Sequence, residues 1–398
     1  MVKYLILGAG PAGLSFANKL LENGETSFLV LEKESSPGGL CRSIDVDGSP
    51  LDIGGGHFLD VKRKKVLDFL FTFMPEHEWN KFERDSRIVI NNNFISSPLE
   101  ANIWQMKITD QVEYLKSIAI AGCNIGEKIP EKFIDWIYWK LGVKIAEEYM
   151  LPYNQKIFSE ELNKLGTYWL EKLPNVSFED TILSCLEKKA HGKQPGHAQF
   201  FYPKKYGYGE LWIRMAKALG DRIKYNINVN SIDFDKKIVN NQYLANNIIN
   251  TIPWCEFNEL NGMPERFKKG ICHLKFNSVQ IEYNAEKLDT TCHWIYYPDL
   301  KLPYHRLLVR HNFCNNSRGY WSETNSERVV PSDKWSYINK YAYPLNTIGK
   351  PQFMKEFLSW VETKGVYGLG RWGTWEHLNS DVTVENAISL FESIHNQE

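Results

Sequence analysis

The sequence predicts an α/β protein that opens with a βαβ unit. Val2–Leu7 is a short apolar run typical of a buried parallel strand, and Ser27–Leu31 is a second one. Between them lie a glycine-rich turn and the segment Leu14–Leu21, whose apolar residues fall mostly on one side of a helix that ends at Asn23-Gly24. Strand, turn, helix and strand follow one another within about thirty residues, the length expected of a βαβ unit.

The turn, Gly8-Ala9-Gly10-Pro11-Ala12-Gly13, has the spacing G-x-G-x-x-G. In this spacing the first glycine permits a tight turn, the second lets the backbone approach a pyrophosphate, and the third lets helix and strand pack closely. Glu32 stands at the end of the second strand, where a carboxylate accepts hydrogen bonds from ribose hydroxyls and disfavours a 2′-phosphate. The unit is therefore predicted to bind a dinucleotide, with its pyrophosphate at the positive end of the helix.

Two further glycine clusters favour FAD over NAD as that dinucleotide. One is Pro37-Gly38-Gly39-Leu40-Cys41-Arg42-Ser43, and the other is Asp52-Ile53-Gly54-Gly55-Gly56-His57-Phe58. Glycines in these loops let the backbone come close to a bulky cofactor, and Arg42 could neutralise the pyrophosphate.

Composition excludes several classes of protein. A chain of 398 residues is long enough for two or three lobes, and its net charge of −1 argues against a general nucleic-acid binder. The seven cysteines are scattered without a C-x-x-C pair, so neither a zinc site nor a disulfide framework is predicted and a reducing cytoplasm is favoured. No apolar run reaches about 18 residues, so no membrane span is expected. The histidines show no ligand spacing, and no metal site is predicted.

Helical and strand-like patterns alternate in long blocks downstream. The stretch from about Leu115 to Leu186 is predicted to be helical, and Gln352–Thr363 and Val384–His395 predict two more helices. The predicted short strands are Tyr225–Val229, Ser231–Phe234, Ile238–Val239, Asn247–Thr251, Leu274–Tyr283, His293–Tyr297 and Leu307–Arg310. The pattern indicates a nucleotide-binding domain assembled from separated segments of the chain and interrupted by a helical insert and a sheet-rich insert. The predicted cofactor domain comprises residues 1–100, 191–260 and 346–398, the helical insert 101–190, and the substrate domain 261–345.

Several motifs resemble those of known flavoproteins. Glu32 followed by Gly38-Gly39-Leu40-x-Arg42-Ser43 and Gly55-Gly56-His57 resembles the flavin amine oxidase and protoporphyrinogen oxidase superfamily. Within that superfamily, the later segments resemble the UDP-galactopyranose mutases over nearly the whole chain and in the same order. These segments are Trp136-Ile137 with Gly142, Met150-Leu151-Pro152-Tyr153-Asn154-Gln155-Lys156-Ile157, Tyr202-Pro203-Lys204-x-x-Gly207-x-Gly209, Thr251-x-Pro253, His293–Pro298, Tyr304-His305-Arg306, Gly370–Trp375 and Asn379-Ser380-Asp381.

The resemblance implies an α/β fold with a Rossmann-like FAD-binding domain of the amine oxidase or glutathione reductase kind, a helical insert and a mainly antiparallel β-sheet substrate domain. It also implies a reaction without net redox change. Reduced flavin N5 attacks a nucleotide sugar at its anomeric carbon, and the sugar recloses as pyranose or furanose; NAD(P)H or another reductant must first reduce the flavin. The resemblance assigns the reaction to Arg306, His57, Tyr296 and His377, and substrate binding to Asn154, Lys172, Tyr296 and Arg306. It assigns FAD binding to Gly8, Gly10, Pro11, Ala12, Gly13, Glu32, Lys33, Gly39, Leu40, Cys41, Arg42, Gly55, Gly56, His57, Val229, Gly370, Arg371, Trp375, Asn379 and Asp381.

The C-terminal motif suggests how the far end of the cofactor is held. Gly370 and Arg371 would bring backbone and a cation to the pyrophosphate, and Ser380 or Asp381 would cap the last helix. The amides that begin this helix would then face the flavin and favour its anionic reduced form.

Two departures from the mutase pattern concern the substrate. Where eukaryotic-type mutases have W-x-x-E-R, this chain has Trp169-Leu170-Glu171-Lys172-Leu173, so a lysine is the nearest cation. Where those mutases have a substrate-facing tyrosine, this chain has His377. The alternatives are a true oxidoreductase of the amine oxidase or protoporphyrinogen oxidase type, and a non-catalytic flavoprotein that keeps the fold for binding, as GDP-dissociation inhibitors do.

Overall fold

The computed structural model describes residues 1–122, 126–170, 173, 175–193 and 198–396. Its strands, in chain order, are β1 (Val2–Leu7), β2 (Phe28–Leu31), β3 (Ser43–Val46), β4 (Ser49–Asp52), β5 (Leu59–Asp60), β6 (Trp79–Glu83), β7 (Ser86–Ile90), β8 (Asn93–Ser96), β9 (Gln199–Pro203), β10 (Ile223–Lys224), β11 (Ser231–Asp233), β12 (Ile238–Val239), β13 (Tyr243–Asn250), β14 (Glu259–Asn261), β15 (Phe276–Asn284), β16 (Trp294–Tyr296), β17 (Arg306–Leu308), β18 (Tyr320–Asn325), β19 (Ser336–Pro344) and β20 (Val366–Gly368). Its α-helices are α1 (Pro11–Glu22), α2 (Lys64–Phe71), α3 (Ile108–Gly122), α4 (Phe133–Ile145), α5 (Leu151–Phe158), α6 (Phe178–Glu187), α7 (Gly209–Leu219), α8 (Glu265–His273), α9 (Lys350–Thr363), α10 (Gly370–Gly373) and α11 (Ser380–His395).

An eight-stranded sheet forms the Rossmann-like part of the molecule. Its order is β10-β2-β1-β13-β12-β11-β14, with β20 also paired to β13, and the strands β10, β2, β1, β13 and β20 are parallel. Helices cover both faces, so alternate residues of β1 enter different cores. Tyr4 and Ile6 pack with α1, α7 and α11, whereas Leu5 and Leu7 pack with α8 and α9.

A seven-stranded sheet forms the second large element. Its order is β19-β15-β18-β17-β16-β7-β8, antiparallel throughout except between β16 and β7. Its two faces are occupied differently: Trp294 and Tyr296 join the main core, whereas Ile295, Leu307 and Val309 form a separate small cluster. This alternation turns Tyr296 and its cross-strand neighbours toward the rest of the molecule.

A helical layer and two small sheets complete the fold. Helices α3 and α4 pack together, and α4 is kinked at Gly142, which has φ 75°. A π-helical turn, Ala146–Met150, leads from α4 directly into α5. The side-chain amides of Asn277 and Asn325 donate to the Ile157 carbonyl, 2.9 and 2.7 Å away, and so fix the end of α5 to the seven-stranded sheet. The small sheets are the β3–β4 hairpin and the β5-β9-β6 sheet.

The predicted fold class is confirmed: the chain has a Rossmann-like domain, a helical insert and a mostly antiparallel second sheet. The predicted strand Tyr225–Val229 is wrong, because the chain there is irregular and passes through Asn226 with φ 58°. Strands β7 and β8, which fall in the predicted first cofactor segment, pair within the seven-stranded sheet. The division into domains at the predicted residue numbers stays a prediction. Among the helices of the described residues, not one has the length and apolar character to cross a membrane.

Candidate functional site

A cavity of about 370 Å³ lies at the carboxyl ends of β1, β2 and β13, the edge of a Rossmann-like sheet where ligands bind. Many of the residues predicted to bind FAD line it. They are Gly8, Gly10, Pro11, Ala12, Glu32, Lys33, Gly39, Leu40, Cys41, Arg42, His57, Val229 and Arg371.

The glycine turn has the open backbone that a pyrophosphate requires. Gly8 has φ 100°, and a Cβ atom there would lie 2.6 Å from the Thr251 hydroxyl oxygen. At Gly10 a Cβ atom would have no neighbour closer than the Gly39 Cα, 3.9 Å away. It would therefore fill space rather than collide with protein. The first turn of α1 begins here without a side-chain cap, so its amides remain available to an anion.

Glu32 is held in place by backbone amides. Its two carboxylate oxygens accept hydrogen bonds from the amides of Ala9, at 2.7 Å, and Glu34, at 2.9 Å. Burial raises the pKa of Glu32 above its ordinary value, although these two hydrogen bonds act in the other direction. Glu32 lines the cavity, and its binding of a ribose stays a prediction.

Two arginines border the cavity in different surroundings. Arg42 donates to the Gly39 carbonyl at 3.1 Å and lies 3.4 Å from the Glu34 carboxylate. Arg371 instead donates to backbone carbonyls, those of Leu378 at 2.7 and 3.2 Å and Ala342 at 2.9 Å. Burial lowers the pKa of Arg371, and no carboxylate contributes to that shift. Each of these hydrogen bonds is thus made to a backbone carbonyl dipole.

His57 lies beside Arg371 at the end of the cavity. Burial is the main cause that lowers its pKa to about 3, and the charge of Arg371 adds to the effect. Its Nδ1 lies 3.3 Å from the Gly55 carbonyl oxygen. His57 is therefore neutral at physiological pH.

Some predicted cofactor residues lie behind the cavity wall rather than on it. A Cβ atom at Gly13 would come 2.0 Å from the Gly8 carbonyl, at Gly55 2.7 Å from Glu323, at Gly56 2.4 Å from Leu308 and at Gly370 2.6 Å from Ala12. These glycines permit close packing beneath the site. Trp375 is fully buried, and its indole nitrogen donates to the Lys275 carbonyl at 3.1 Å.

The predicted capping of the last helix by Ser380 or Asp381 is wrong. The N-cap position of α11 is Asn379, whose side chain makes no capping hydrogen bond, and Ser380 and Asp381 are the first residues of the helix. Their side chains bind elsewhere: the Ser380 hydroxyl lies 2.6 Å from the Tyr208 hydroxyl, and Asp381 pairs with Arg63 at 2.8 Å. Since Ser380 and Thr383 still line the cavity, the start of α11 faces it.

Strand β19 forms the wall of the cavity opposite the glycine turn. Its alternate residues Tyr337, Asn339 and Tyr341 make hydrogen bonds to Arg42, to the Ile53 carbonyl and to Glu256. One face of the seven-stranded sheet therefore points at the cofactor domain.

A row of paired residues runs along that same face. Tyr337 lies opposite Ile281, Ile281 opposite Glu323, Glu323 opposite Arg306, and Arg306 opposite Tyr296. Directly paired residues share a face of a sheet. Arg306 and Tyr296 are therefore on the face of the sheet that is turned toward the cavity; their role in substrate binding stays a prediction.

Arg306 is oriented by a buried carboxylate. Its Nε and Nη2 donate to the same oxygen of Glu323, and its Nη2 lies 3.4 Å from the Tyr343 hydroxyl. Burial opposes ionisation of Glu323, but the charge of Arg306 and a hydrogen bond from His305 outweigh it and hold the Glu323 pKa at about 2. Within the described part of the chain, the remaining nitrogen of Arg306, Nη1, has no hydrogen-bond partner.

Tyr343 joins the two sides of the site. Its hydroxyl contacts Arg306, its ring centroid lies 5.6 Å from the Arg371 guanidinium carbon, and it packs 4.8 Å from the His377 ring. The structure therefore brings together Arg306, Arg371, His377 and His57, which is also within electrostatic reach of Arg306.

The other predicted substrate residues, Asn154, Tyr296 and Lys172, differ in their surroundings. The Asn154 amide donates to the Met150 carbonyl at 2.7 Å, and the side chain is buried in α5. Tyr296 accepts a hydrogen bond of 2.6 Å from Arg84 and packs 5.6 Å from the Tyr153 ring. Lys172 lies outside the described residues.

The predictions from sequence did not include four residues of this cluster: Arg84, Tyr153, Glu323 and Tyr343. Tyr153 stands in the quoted Pro152-Tyr153-Asn154 motif, so a signal for it was present. The other three depend on strand register between distant segments. Among the described residues, no group of three or more His, Cys, Asp or Glu side chains could hold a metal ion.

A family model and a protein of known sequence both match parts of this chain. A family model described as an NAD(P)-binding Rossmann-like domain matches residues 6–72. A protein of Methanothermococcus thermolithotrophicus, described as an uncharacterized protein in the nifH2 3′ region, is 32% identical over 103 residues, which are 26% of this chain and 98% of that protein.

Solved structures resemble the whole chain. A reduced UDP-galactopyranose mutase has a TM-score of 0.89 at 20% identity, covering 100% of this chain and 94% of that one. A putative protoporphyrinogen oxidase from Exiguobacterium sp. 255-15 has 0.71 at 14% identity, covering 100% and 99%. Cyclohexylamine oxidase from Brevibacterium oxydans IH-35A has 0.66 at 14% identity, covering 99% of both chains. The predicted resemblance to the mutases and the amine oxidase superfamily is confirmed for the fold.

Proposed function

We propose that this chain, which belongs to one sequence family with the Methanothermococcus protein and has the fold of a UDP-galactopyranose mutase, is an FAD-dependent enzyme that rearranges the sugar ring of a nucleotide sugar. The observation that carries the proposal is the position of Tyr343, which contacts both Arg306 on the sheet and Arg371 at the cavity. A site for an anionic substrate thereby adjoins a site for a dinucleotide.

The cavity suits FAD. Open space at Gly10 leaves room for a pyrophosphate at the start of α1, and the Glu32 carboxylate can accept ribose hydroxyls. Arg371 is a partly buried cation that forms no ion pair with a carboxylate among the described residues, and an anionic group of the cofactor would complete its environment. When bound and reduced, the flavin would supply the nucleophile for attack on a sugar carbon.

The protein's own residues would position and neutralise the substrate. Glu323 holds two nitrogens of Arg306, so the guanidinium plane is fixed while Nη1 stays available to a phosphate oxygen. A fixed cation binds phosphate with little loss of side-chain entropy. Neutral His57 can donate or accept one hydrogen bond near the cofactor without adding charge.

The charge of the site favours an anionic substrate over an amine. Arg306 and Arg371 both approach Tyr343, and an amine that is protonated at neutral pH would be repelled by them. An oxidoreductase acting on an anionic or neutral compound remains the second candidate. It is favoured by His377, which packs on Tyr343 where the mutase pattern has a tyrosine.

The test is product analysis under reducing conditions. Purified holoenzyme is reduced with dithionite or NAD(P)H without oxygen and given a panel of UDP-, GDP- and dTDP-sugars. The proposal expects a pyranose–furanose rearrangement seen by chromatography and NMR with reduced enzyme and none with oxidised enzyme. Substrate-dependent bleaching of the flavin, reversed by air and without rearranged sugar, would establish the oxidoreductase instead. Protein that cannot be loaded with FAD would contradict both.

Variants of Arg306 give a second test. Arg306→Lys keeps a cation beside Glu323 but loses the planar fork, so we expect nucleotide-sugar binding to weaken by about tenfold or more while FAD stays bound. Unchanged affinity for the nucleotide sugar would remove Arg306 from this role.

A further inference from the structure

We propose that Arg84 is a second anion-binding residue of the substrate site, so that the substrate presents two separate negative groups to the seven-stranded sheet. The inference rests on the proposed function, because it concerns the same site. The ligand class is therefore a dianion. Arg306 holds one of its negative groups, and Arg84 holds the other, which is a phosphate or a carboxylate.

Arg84 stands between β6 and β7 and is held in a defined orientation. Its Nη2 donates to the Tyr296 hydroxyl at 2.6 Å, and its Nε donates to the Ser86 hydroxyl at 2.8 Å. Its guanidinium carbon lies 4.6 Å from the centroid of the Trp294 ring. Stacking on an indole and two hydrogen bonds are the means by which proteins hold a guanidinium for planar recognition of an oxyanion.

Tyr296 connects this arginine to Arg306. Tyr296 and Arg306 are direct cross-strand partners, so their Cβ atoms are about 5 Å apart and on one face of the sheet. The Tyr296 hydroxyl, at the far end of the same side chain, meets Arg84. Tyr296 therefore contacts the guanidinium of Arg84 directly and is within electrostatic reach of Arg306, so a ligand beside this tyrosine would meet both cations.

A cluster of tyrosines surrounds the two arginines. Tyr153 packs edge-on against Tyr296 at 5.6 Å, and Tyr149 packs against Tyr153 at 5.7 Å. The charge of Arg84 reaches Tyr149, and that of Arg306 reaches Tyr153. The two cations thus act on adjacent members of one tyrosine cluster.

Two ligand groups have the required chemistry. The second phosphate of a nucleoside diphosphate and the carboxylate of an acidic sugar both present oxygens that match a guanidinium fork. The two groups can be distinguished by the choice of probe. The second phosphate is present in UDP, whereas the carboxylate is present only in a nucleotide sugar whose sugar is a uronic acid.

The experiment measures the affinity of oxidised holoenzyme for UMP, UDP, UDP-galactose and UDP-galacturonic acid through changes in the flavin absorption. The variants are Arg84→Gln, Arg84→Lys and the control Arg87→Gln. Arg87 lies on the neighbouring strand β7 and is paired with Asp85 at 2.8 Å. We expect Arg84→Gln to weaken the binding of the dianionic probe by about tenfold or more, Arg84→Lys to weaken it less, and Arg87→Gln to leave it within about twofold.

The probes identify which anion Arg84 holds. Loss of UDP and UDP-galactose affinity with unchanged UMP affinity assigns the second phosphate, and loss confined to UDP-galacturonic acid assigns a carboxylate. The salt dependence of the affected Kd should become shallower in Arg84→Gln, which a merely structural role would not produce. Equal affinities and salt dependence in Arg84→Gln and Arg87→Gln would overturn this inference alone. Wild-type holoenzyme that binds none of the four probes would overturn the proposed function as well.

Discussion

Arg306 and Glu323 lie opposite each other on β17 and β18, and their side chains form an ion pair whose carboxylate is almost completely buried. Removing one partner of such a pair leaves the other charge buried alone, which is more costly than losing a surface ion pair. We therefore expect Glu323→Gln to lower the free energy of unfolding by about 3–5 kcal/mol, measured in urea at pH 7. Glu282→Gln is the control, because its partner Lys334 is half exposed and 3.7 Å away, and a loss below about 1 kcal/mol is expected there.

The same pair predicts an acid dependence. The pKa of Glu323 is held at about 2, below its ordinary value of 4.5, so the pair stabilises the folded state above pH 4.5 and loses this effect as pH falls toward 2. The wild-type protein should lose more stability than Glu323→Gln between these pH values. Parallel curves for the two proteins would show that the pair carries no such linkage.

Two glycines of the phosphate turn are expected to respond differently to alanine. Gly10→Ala places a methyl group in open space, so the fold should persist while FAD affinity falls by about tenfold or more. Gly13→Ala places its methyl group 2.0 Å from the Gly8 carbonyl, so β1 and α1 must move apart and unfolding should become easier by about 1–3 kcal/mol or more. Thermal unfolding of the apoproteins and FAD titration separate the two effects. A Gly10→Ala protein that binds FAD normally would place the pyrophosphate elsewhere.

The turn could be predicted from sequence because its signals are local. Gly8, Gly10 and Gly13 act through their own backbone and lie within six residues, and Glu32 follows at the end of the next strand. The partners of Arg306 could not be predicted, since Glu323 and Tyr343 come from different strands and meet it only through sheet register. Sequence patterns indicate strands but do not determine which distant strands pair.

The incorrect strand at Tyr225–Val229 has a specific cause. Ile227 and Val229 are apolar and alternate as in a strand, but they line the cavity instead of pairing in a sheet. The Ile227 amide bonds to the Glu32 carbonyl at 2.9 Å, and Asn226 turns the chain with φ 58°. Apolar alternation here indicates a ligand wall, which single-sequence periodicity does not distinguish from a sheet face.

Lys156 is expected to make stability depend on pH above neutrality. Its ammonium is fully buried and donates to the carbonyls of Tyr297 and Asp299, both at 2.8 Å. Burial and the charge of Arg328 lower its pKa to about 7, although Asp299 acts in the other direction. Between pH 7 and the ordinary value of 10.5 the unfolded chain binds a proton that the folded protein does not, so the free energy of unfolding should rise with pH.

Lys156→Met removes this contribution. Between pH 7 and 9.5, the free energy of unfolding of the wild-type protein should rise relative to that of the variant by on the order of 1 kcal/mol per pH unit. Urea unfolding measures both values. Lys164→Met is the control, since Lys164 is an exposed partner of Glu161. A constant difference between wild type and Lys156→Met across this range would show that Lys156 keeps its proton.

Arg371 and Arg42 are expected to affect different properties of the bound cofactor. Arg42 contacts Gly39 and Glu34 near the phosphate turn, whereas Arg371 lies beside His57 and Tyr343. The C-terminal motif predicted Arg371 at the pyrophosphate, but its position beside His57 leads us to propose that it lies near the flavin ring. A cation near the pyrophosphate stabilises oxidised and reduced FAD equally, but a cation near the flavin ring stabilises the anionic reduced form more. Arg371→Gln should therefore lower the flavin reduction potential by about 30 mV or more, and Arg42→Gln should weaken FAD binding with little change in potential. The reduction potential is measured on the holoenzymes by dye-coupled reductive titration, and the affinity is measured by titrating FAD into the apoproteins. If Arg371→Gln reduces affinity without shifting the potential, then Arg371 holds the pyrophosphate, and the first amides of α11 alone are left to stabilise the reduced ring.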